Sequence, residues 1–271
     1  MILYKYMSFK AACSVIENSS IGFSCLEDLN DPFECTSFGF EQHSDTLINA
    51  NTATRACQNR FSRQYGVLSL TRQPLNSLMW SHYGDQHQGV VIGIDVEAAG
   101  LSDKTACIIP SQYGEIVYSA TKPHNNLPAP TSEELMSIGN DIKFNSDAFN
   151  LVKRAFLYKS VEWAYEEEVR VVKDISGLPF SYHFGEGRHG NWKKIMLSKR
   201  PLYCFDVPRS SIKEVYLGSH VRKNVSKKED FSQVEYDSII ESWRRKDLKL
   251  FKCVPDIHSW NLTAHSLPFQ Q

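Results

Sequence analysis

The alternation of apolar and polar positions predicts a sheet-rich chain with a few helices. Apolar residues at every second position, or in short continuous runs, are typical of strands, and spacings of three and four are typical of helices. Strands are predicted at residues 3–6, 21–26, 65–71, 90–96, 115–118, 168–172, 202–207 and 215–217. Helices are predicted at residues 9–17, 78–83, 132–159 and 227–246, with a partly helical stretch at 41–64 and a loop after Pro255.

The order of these elements predicts the fold class. Strands do not alternate one for one with helices, so we expect an α+β protein with a mixed, split central β-sheet and flanking helices. The most apolar strand, at 90–96, is predicted to lie at the centre of that sheet. We expect a single α+β domain of catalytic type over residues 1–220 and a basic helical extension over 221–271 packed on it.

Composition limits the compartment and the class of protein. No run of about 18 apolar residues is present, so no membrane span is predicted. The first residues lack the basic and apolar regions of a signal peptide, and the 7 cysteines include no Cys-x-x-Cys pair. We therefore expect a cytoplasmic protein without a disulfide scaffold or a structural zinc site.

Charge is nearly balanced over the whole chain, at −1, but it is unevenly distributed. Residues 193–252 contain 15 basic and 8 acidic side chains, which leaves the rest of the chain acidic. A basic face on an acidic body can approach a polyanion, so a polyanion such as nucleic acid is a possible partner of residues 193–252. The alternative is an asymmetry of the surface with no partner.

Candidate chemistry is concentrated in residues 156–172. The alternation from residue 166 onwards predicts that Glu166, Glu168 and Arg170 share one face of a strand, with the two carboxylates about 7 Å apart. Carboxylates this close repel each other, so we expect water, a cation or a substrate nearby. A charged strand edge paired with Arg170 is the alternative interpretation.

A tight turn is predicted at residues 29–34, where Asn and Asp precede a proline. That order disfavours helix and supplies side-chain acceptors for a turn. Phe33 is predicted to pin the turn to the core. A rigid corner is the favoured interpretation, and a site that uses Asp31 or Glu34 is the alternative. His82 and His87 lack a third ligand, so no metal site is predicted.

Seven short motifs together resemble a bacterial family, the domain of unknown function 2971. They are Tyr4-Lys5-Tyr6, Asn30-Asp31-Pro32-Phe33-Glu34, Ser69-Leu70-Thr71, Met79-Trp80-Ser81-His82-Tyr83, His87-x-Gly89, Lys159-x3-Trp163-x-Tyr165-Glu166-x-Glu168-x-Arg170 and Leu217-Gly218. The resemblance spans about residues 3–218. This family implies no particular activity.

A second resemblance is to ADP-ribosyltransferases, including toxins that modify nucleic acids. Those enzymes place three stations on a split sheet: an early Arg, His or Tyr, then a Ser-Thr or Tyr element, then a Glu that opens a later strand. The matching residues here are Tyr4 or Tyr6, then Ser69 and Thr71 with Tyr83, then Glu166 and Glu168. Because no Arg occupies the first station, the resemblance implies a Tyr- or His-type site.

That resemblance implies a transferase with NAD as its substrate, a bacterial toxin or phage-defence effector that modifies nucleic acid or protein. An antitoxin or regulator protein would then be a further partner. Glu168 would stabilise the oxocarbenium ion formed when the nicotinamide–ribose bond breaks, and Glu166 would orient or deprotonate the acceptor. Aromatic rings would stack on nicotinamide. The residues expected to contact NAD are Tyr4, Tyr6, Ser69, Thr71, Trp80 and Tyr83.

Two other functions fit the same residues. One is a metal-dependent nuclease with a carboxylate site built from Asp31, Glu34, Glu166 and Glu168. Such nucleases commonly carry a Lys where this chain has Arg170. The other is a non-catalytic sensing or interaction module.

Overall fold

The fold is seen in a computed structural model, which describes residues 1–34, 37, 39, 50–122, 142–175, 187–197, 199–221 and 232–267. Its strands are β1 Ile2–Met7, β2 Ser20–Phe23, β3 Tyr65–Thr71, β4 Val90–Asp95, β5 Val117–Ser119, β6 Tyr158–Ser160, β7 Glu168–Asp174, β8 Gly187–His189, β9 Trp192–Leu197, β10 Arg200–Asp206, β11 Ile212–Leu217, β12 Lys249–Pro255 and β13 Leu262–Ser266. Its α-helices are α1 Phe9–Asn18, α2 Ala50–Gln64, α3 Ser77–His82, α4 Phe149–Phe156 and α5 Gln233–Arg245. Short 3-10 helices lie at Leu26–Asp28, Ser111–Tyr113, Val161–Glu166 and Arg209–Ser211.

A seven-stranded sheet in the order β13-β12-β11-β4-β1-β3-β7 forms the centre of the fold. The β11–β12 pair is parallel and the other pairs are antiparallel, so the sheet is mixed. This confirms the predicted α+β class with a mixed central sheet and flanking helices. The apolar strand β4 occupies the middle position, as predicted, because both of its faces are buried.

Helices α1 and α5 pack on one face of this sheet. The Ser8 hydroxyl caps α1 by accepting the Ala11 N–H at 3.3 Å, and the apolar stripe of the helix is buried. The ring of Phe9 in α1 lies 5.3 Å from the ring of Tyr236 and 5.6 Å from that of Trp243, both in α5. These contacts join the first and last helices in one core.

The opposite face opens between β1 and β3. Strand β1 pairs with β4 over its whole length, but its pairing with β3 is limited to Tyr4 opposite Thr71. Beyond this point Ser24 takes over as the bridge partner of Val67 in β3. Lys5 reaches across the divergence and donates from Nζ to the Ser69 carbonyl at 3.0 Å. The two strands therefore separate and leave room for a cleft.

The helix predicted at residues 132–159 is shorter in the structure. Residues 132–141 lie outside the described residues, α4 begins only at Phe149, and Lys159 belongs to strand β6. Before α4, the Asn145 side chain accepts the Asp147 N–H at 3.0 Å, a local turn that competes with helix.

The C-terminal segment is more than the predicted helical extension. Its helix α5 starts at Gln233, because Ser232 and Glu235 form a capping box, and the predicted start near residue 227 lies outside the described residues. Strands β12 and β13 then join the main sheet, where β12 pairs with β11 and β13 pairs with β12. Because β13 follows Pro255, the prediction of a loop after that residue was wrong. The apolar pattern of β12 is interrupted by Lys252, so its pairing with β11 identifies it as a strand more clearly than its sequence does.

No helix among the described residues combines the length and the apolar character that crossing a bilayer requires.

Candidate functional site

A cavity of about 220 Å³ lies where β1 and β3 diverge. Strands β1, β3 and β7 are neighbours in the sheet, so three segments distant in sequence meet at this cavity. The turn at residues 29–34, helix α3 and the 3-10 helix Val161–Glu166 complete its walls. Seven of the eight predicted site residues line it: Tyr4, Tyr6, Ser69, Thr71, Tyr83, Glu166 and Glu168.

Trp80, the eighth, does not line the cavity. Its side chain is 0% exposed, and its indole N–H donates to the Pro74 carbonyl at 2.9 Å. The ring packs edge-on against Tyr6 and lies parallel to the ring of His87. Trp80 therefore packs α3 against the sheet, and the prediction that it contacts a ligand was wrong. In a short helix, the spacing of apolar residues does not distinguish those that face the core from those that face a ligand.

Lys159 is the centre of a buried charge cluster at the base of the cavity. Its Nζ donates to Glu166 Oε2 at 2.6 Å and to Glu168 Oε2 at 3.1 Å, and lies 3.5 Å from Glu34 Oε1. The same ammonium group sits 5.1 Å from the centre of the Trp163 ring. These partners raise the pKa of Lys159 against the opposing effect of burial, so the side chain stays charged.

Arg170 is the second cation of the cluster. Its Nε donates to Glu168 Oε1 at 2.8 Å and its Nη2 to Glu168 Oε2 at 3.1 Å, a bidentate pair. The guanidinium also contacts Glu34 and donates from Nη1 to the Phe156 carbonyl at 2.8 Å. Burial favours the neutral form of Glu168, but Arg170 and Lys159 outweigh it and hold the pKa of that carboxyl below its usual range.

Glu166 and Glu168 lie close together, but they belong to different elements and not to the single strand that was predicted. Strand β7 begins at Glu168, whereas Glu166 ends a 3-10 helix, and Glu167 between them has a left-handed φ of 43°. The prediction that both carboxylates project from one strand was therefore wrong. Both carboxylates nevertheless contact Lys159. The left-handed backbone at Glu167 changes the direction of the chain, so that the Glu166 side chain also faces the cavity.

Glu166 is the carboxylate that the cavity wall presents beside its aromatic rings. The Tyr83 hydroxyl donates to its Oε1 at 2.7 Å, and the residue is 3% exposed. Its backbone is fixed by Thr71, whose hydroxyl donates to the Glu166 carbonyl at 2.5 Å. Burial raises the pKa of Glu166, and Lys159 and Tyr83 oppose that shift. The two hydrogen bonds hold the Glu166 side chain in one orientation, away from bulk water.

The turn at residues 29–34 is part of the site as well as a rigid corner. Asp31 and Glu34 are both buried and line the cavity, and Asn30 lines it beside them. Asp31 Oδ1 accepts the Phe33 N–H at 2.9 Å, the turn expected of Asp before Pro. The prediction that Phe33 pins the turn to the core was wrong, since Phe33 is 66% exposed.

Lys159 and Lys5 are site residues to which the sequence analysis gave no role. Lys159 opens the motif that ends in Arg170, and that motif was the available signal. Its pairing with Glu34, over a hundred residues away, has no local signature.

Two further observations concern metals and the basic segment. Among the described residues, no group of three or more His, Cys, Asp and Glu side chains is arranged to hold a metal ion. None of the described basic residues between 193 and 252 lines the cavity.

These features define an α+β protein with a partly buried, charged and aromatic cleft between diverging strands. Residues 79–171 match the model of a family described as protein of unknown function (DUF2971), which confirms the predicted resemblance over those residues. The match covers most of α3 and the Lys159–Arg170 motif and is narrower than the predicted span of residues 3–218. No curated protein and no solved structure matches the chain.

Proposed function

We propose that this chain is an NAD-dependent ADP-ribosyltransferase with an ADP-ribosyltransferase-like fold. The observation that carries the proposal is the position of the Glu166 carboxylate, which is held in the wall of a cavity where β1 and β3 diverge. Adjacent strands bring Tyr4, Ser69 and Thr71 to the same cavity. This arrangement supports the three stations that the second family resemblance implies.

The charge balance of the cluster supports the same chemistry. In the cluster, Glu34, Glu166 and Glu168 face two cations, Lys159 and Arg170. The cavity lining adds the cation Lys5 and the carboxyl groups of Asp28 and Asp31, so five acidic side chains face three basic ones. The nicotinamide ring of NAD is cationic, and its departure leaves positive charge on the ribose. A preorganised negative charge in a site with little water stabilises that charge as it develops.

The two carboxylates of the motif take different roles in this proposal. Glu168 is neutralised by two cations, Arg170 and Lys159, so it positions the cluster. Glu166 is bonded by one cation, Lys159, and by the neutral hydroxyl of Tyr83. Glu166 then stabilises the oxocarbenium ion, a role that the sequence had suggested for Glu168. Tyr4, Tyr6, Tyr83 and Trp163 offer rings for the nicotinamide–ribose end.

The nuclease alternative receives less support from this geometry. Its proposed ligands Glu34, Glu166 and Glu168 already hold Lys159 between them, and a metal ion would have to displace that cation. Dependence of activity on Mg²⁺ instead of NAD would favour the nuclease.

The same proposal includes a biological role: a bacterial toxin or phage-defence effector that modifies nucleic acid or protein. The basic segment 193–252 would then be a separate surface for a nucleic-acid acceptor, since its described basic residues do not line the cavity.

The test is release of nicotinamide from NAD by the purified protein and by Glu166→Gln. Removal of one electrostatic stabiliser typically lowers turnover by about 10²–10³-fold. The amide keeps the size of the side chain, so the fold is expected to survive. Glu162→Gln is the matched control, because Glu162 is exposed on the same 3-10 helix and should leave turnover unchanged.

Full nicotinamide release by Glu166→Gln would overturn the assignment of Glu166. Absence of NAD turnover in the wild type, with nucleic acid or protein added as acceptor, would overturn the transferase and leave the non-catalytic module as the better interpretation.

A further inference from the structure

A second cavity, of about 180 Å³, lies beside the first. Asp31, Glu34 and Lys159 line both cavities, so the two spaces share a wall. A group bound in the second cavity would therefore lie next to the reacting end of a ligand in the first.

Asp31 differs from Glu34, the other carboxylate of that wall. Glu34 contacts Lys159 and Arg170, whereas Asp31 forms no ion pair within the described part of the chain. Asp31 is only 6% exposed, and its Oδ1 accepts the Phe33 N–H. A buried carboxylate is stable when donors satisfy it, so its other oxygen is suited to a donor that arrives in either cavity.

The second cavity has a lining suited to a nucleotide. Phe33 presents an exposed ring, and Lys122 Nζ lies 5.6 Å from the centre of that ring. Tyr158 adds a second aromatic ring. The hydroxyl-bearing residues of the lining include Ser119, Thr121 and Ser160. Aromatic faces stack on bases, while lysines and hydroxyls contact phosphate and sugar, and together they suit a single-stranded nucleic acid.

We propose that the second cavity binds the acceptor, a nucleotide of a single-stranded nucleic acid, and that Asp31 is the general base for its modification. The inference rests on the proposed transferase. The acceptor nitrogen or oxygen forms a bond to C1 of the ribose, and the bond from C1 to nicotinamide breaks with its electron pair leaving on nicotinamide. The acceptor proton passes to the Asp31 carboxylate.

Asp31 suits this role better than Glu166 does. Glu166 is bonded by Lys159 and Tyr83, which hold it as a fixed negative charge. A general base must instead receive a proton from the acceptor at hydrogen-bond distance. Asp31, in the wall shared by the two cavities, is placed between the acceptor and the ribose.

The first test is Asp31→Asn, assayed with NAD and a single-stranded oligonucleotide. Asn keeps an oxygen for the Phe33 N–H, so the turn is retained and only the charge is lost. We expect transfer to the oligonucleotide to fall by about 10²-fold or more. The ratio of transferred ADP-ribose to released nicotinamide should fall with it, whereas a purely structural role would lower both products together. An unchanged ratio would overturn the role of Asp31.

The second test needs no NAD and concerns the cavity alone. Binding of a labelled single-stranded oligonucleotide of about 12 residues is measured by fluorescence anisotropy for wild type and Phe33→Ala. Loss of one stacking ring should weaken binding by about tenfold. Leu197→Ala is the control, because Leu197 is exposed on β9 and lines neither cavity.

The outcomes of the two tests are separable. Unchanged binding by Phe33→Ala, or transfer to protein alone, overturns the nucleotide site. Absence of nicotinamide release by the wild type overturns the transferase and the role of Asp31 with it, while the anisotropy result still decides what the second cavity binds.

Discussion

Arg170 is the residue that holds the charge cluster in one arrangement. It is 1% exposed and its guanidinium bonds Glu168, contacts Glu34 and donates to the Phe156 carbonyl. Burying such ions costs free energy that their mutual attraction roughly offsets, but removal of one partner leaves the other charged and poorly solvated. The cluster is therefore more sensitive to loss of a member than its net contribution to stability suggests.

Glu168→Gln is expected to lower the free energy of unfolding by about 3 kcal/mol at pH 7, because Arg170 and Lys159 lose the carboxylate that they share. Urea denaturation measures this difference. The effect depends on pH in a known direction. Since the pKa of Glu168 is held below its usual value of about 4.3, its stabilisation is full above that pH and is lost as pH falls through the lower, folded-state pKa.

The difference between wild type and Glu168→Gln should therefore shrink below about pH 4. Glu162→Gln, at an exposed position, should match the wild type at every pH. A Glu168→Gln protein as stable as the wild type at neutral pH would show that the buried pair contributes nothing to folding.

At the scale of elements, α3 and the 3-10 helix Val161–Glu166 are joined by one side chain. Asn76 caps α3 by accepting the Leu78 N–H at 3.0 Å and the Met79 N–H at 3.2 Å. Its amide nitrogen donates to the Tyr165 carbonyl at 2.9 Å, next to Glu166. The helix that carries Tyr83 at its end and the segment that carries Glu166 are thus held in register.

Asn76→Ala is expected to cost about 1 kcal/mol of stability and to lower nicotinamide release, because Glu166 and Tyr83 lose their common support. Ser232→Ala is the matched control. It removes the cap of α5 at a comparable cost, at a position that lines neither cavity, so turnover should be retained. Equal activities of the two variants would show that the Asn76 contact does not position the site.

At the scale of the whole molecule, the C-terminal segment belongs to the main core. Helix α5 buries Tyr236, Ile240 and Trp243, and β12 pairs with β11 next to the central strand. Burial of side chains of this size stabilises by about 1.5–3 kcal/mol each. That sum is comparable with the total stability of about 5–15 kcal/mol expected of a domain.

A chain limited to residues 1–220 is therefore expected to lose cooperative unfolding, although the sequence predicted that these residues form a domain. Thermal denaturation followed by circular dichroism compares it with the full chain. A sharp transition at a similar temperature in the shortened chain would support the predicted boundary and would contradict the role assigned here to α5 and β12.

The sequence by itself determined the local elements and the residue types of the site. The continuous apolar runs of β3 and β4, the Ser8 cap of α1 and the Asp-Pro turn depend on neighbours in the chain, so their patterns are visible without the fold. The motifs also indicated the right segments, because Tyr4, Ser69 and Glu166 all reach one cavity.

Only the tertiary structure decided which of these side chains face the cavity and which charges are paired. Trp80 was predicted to contact the ligand but is buried in the core, Phe33 was predicted to pack in the core but is exposed, and Glu168 is a buried partner of Arg170. The placement of β12 likewise depends on β11. Burial and ion pairing are set by residues far apart in the chain, such as Glu34 and Lys159, and no local period of the sequence encodes such contacts.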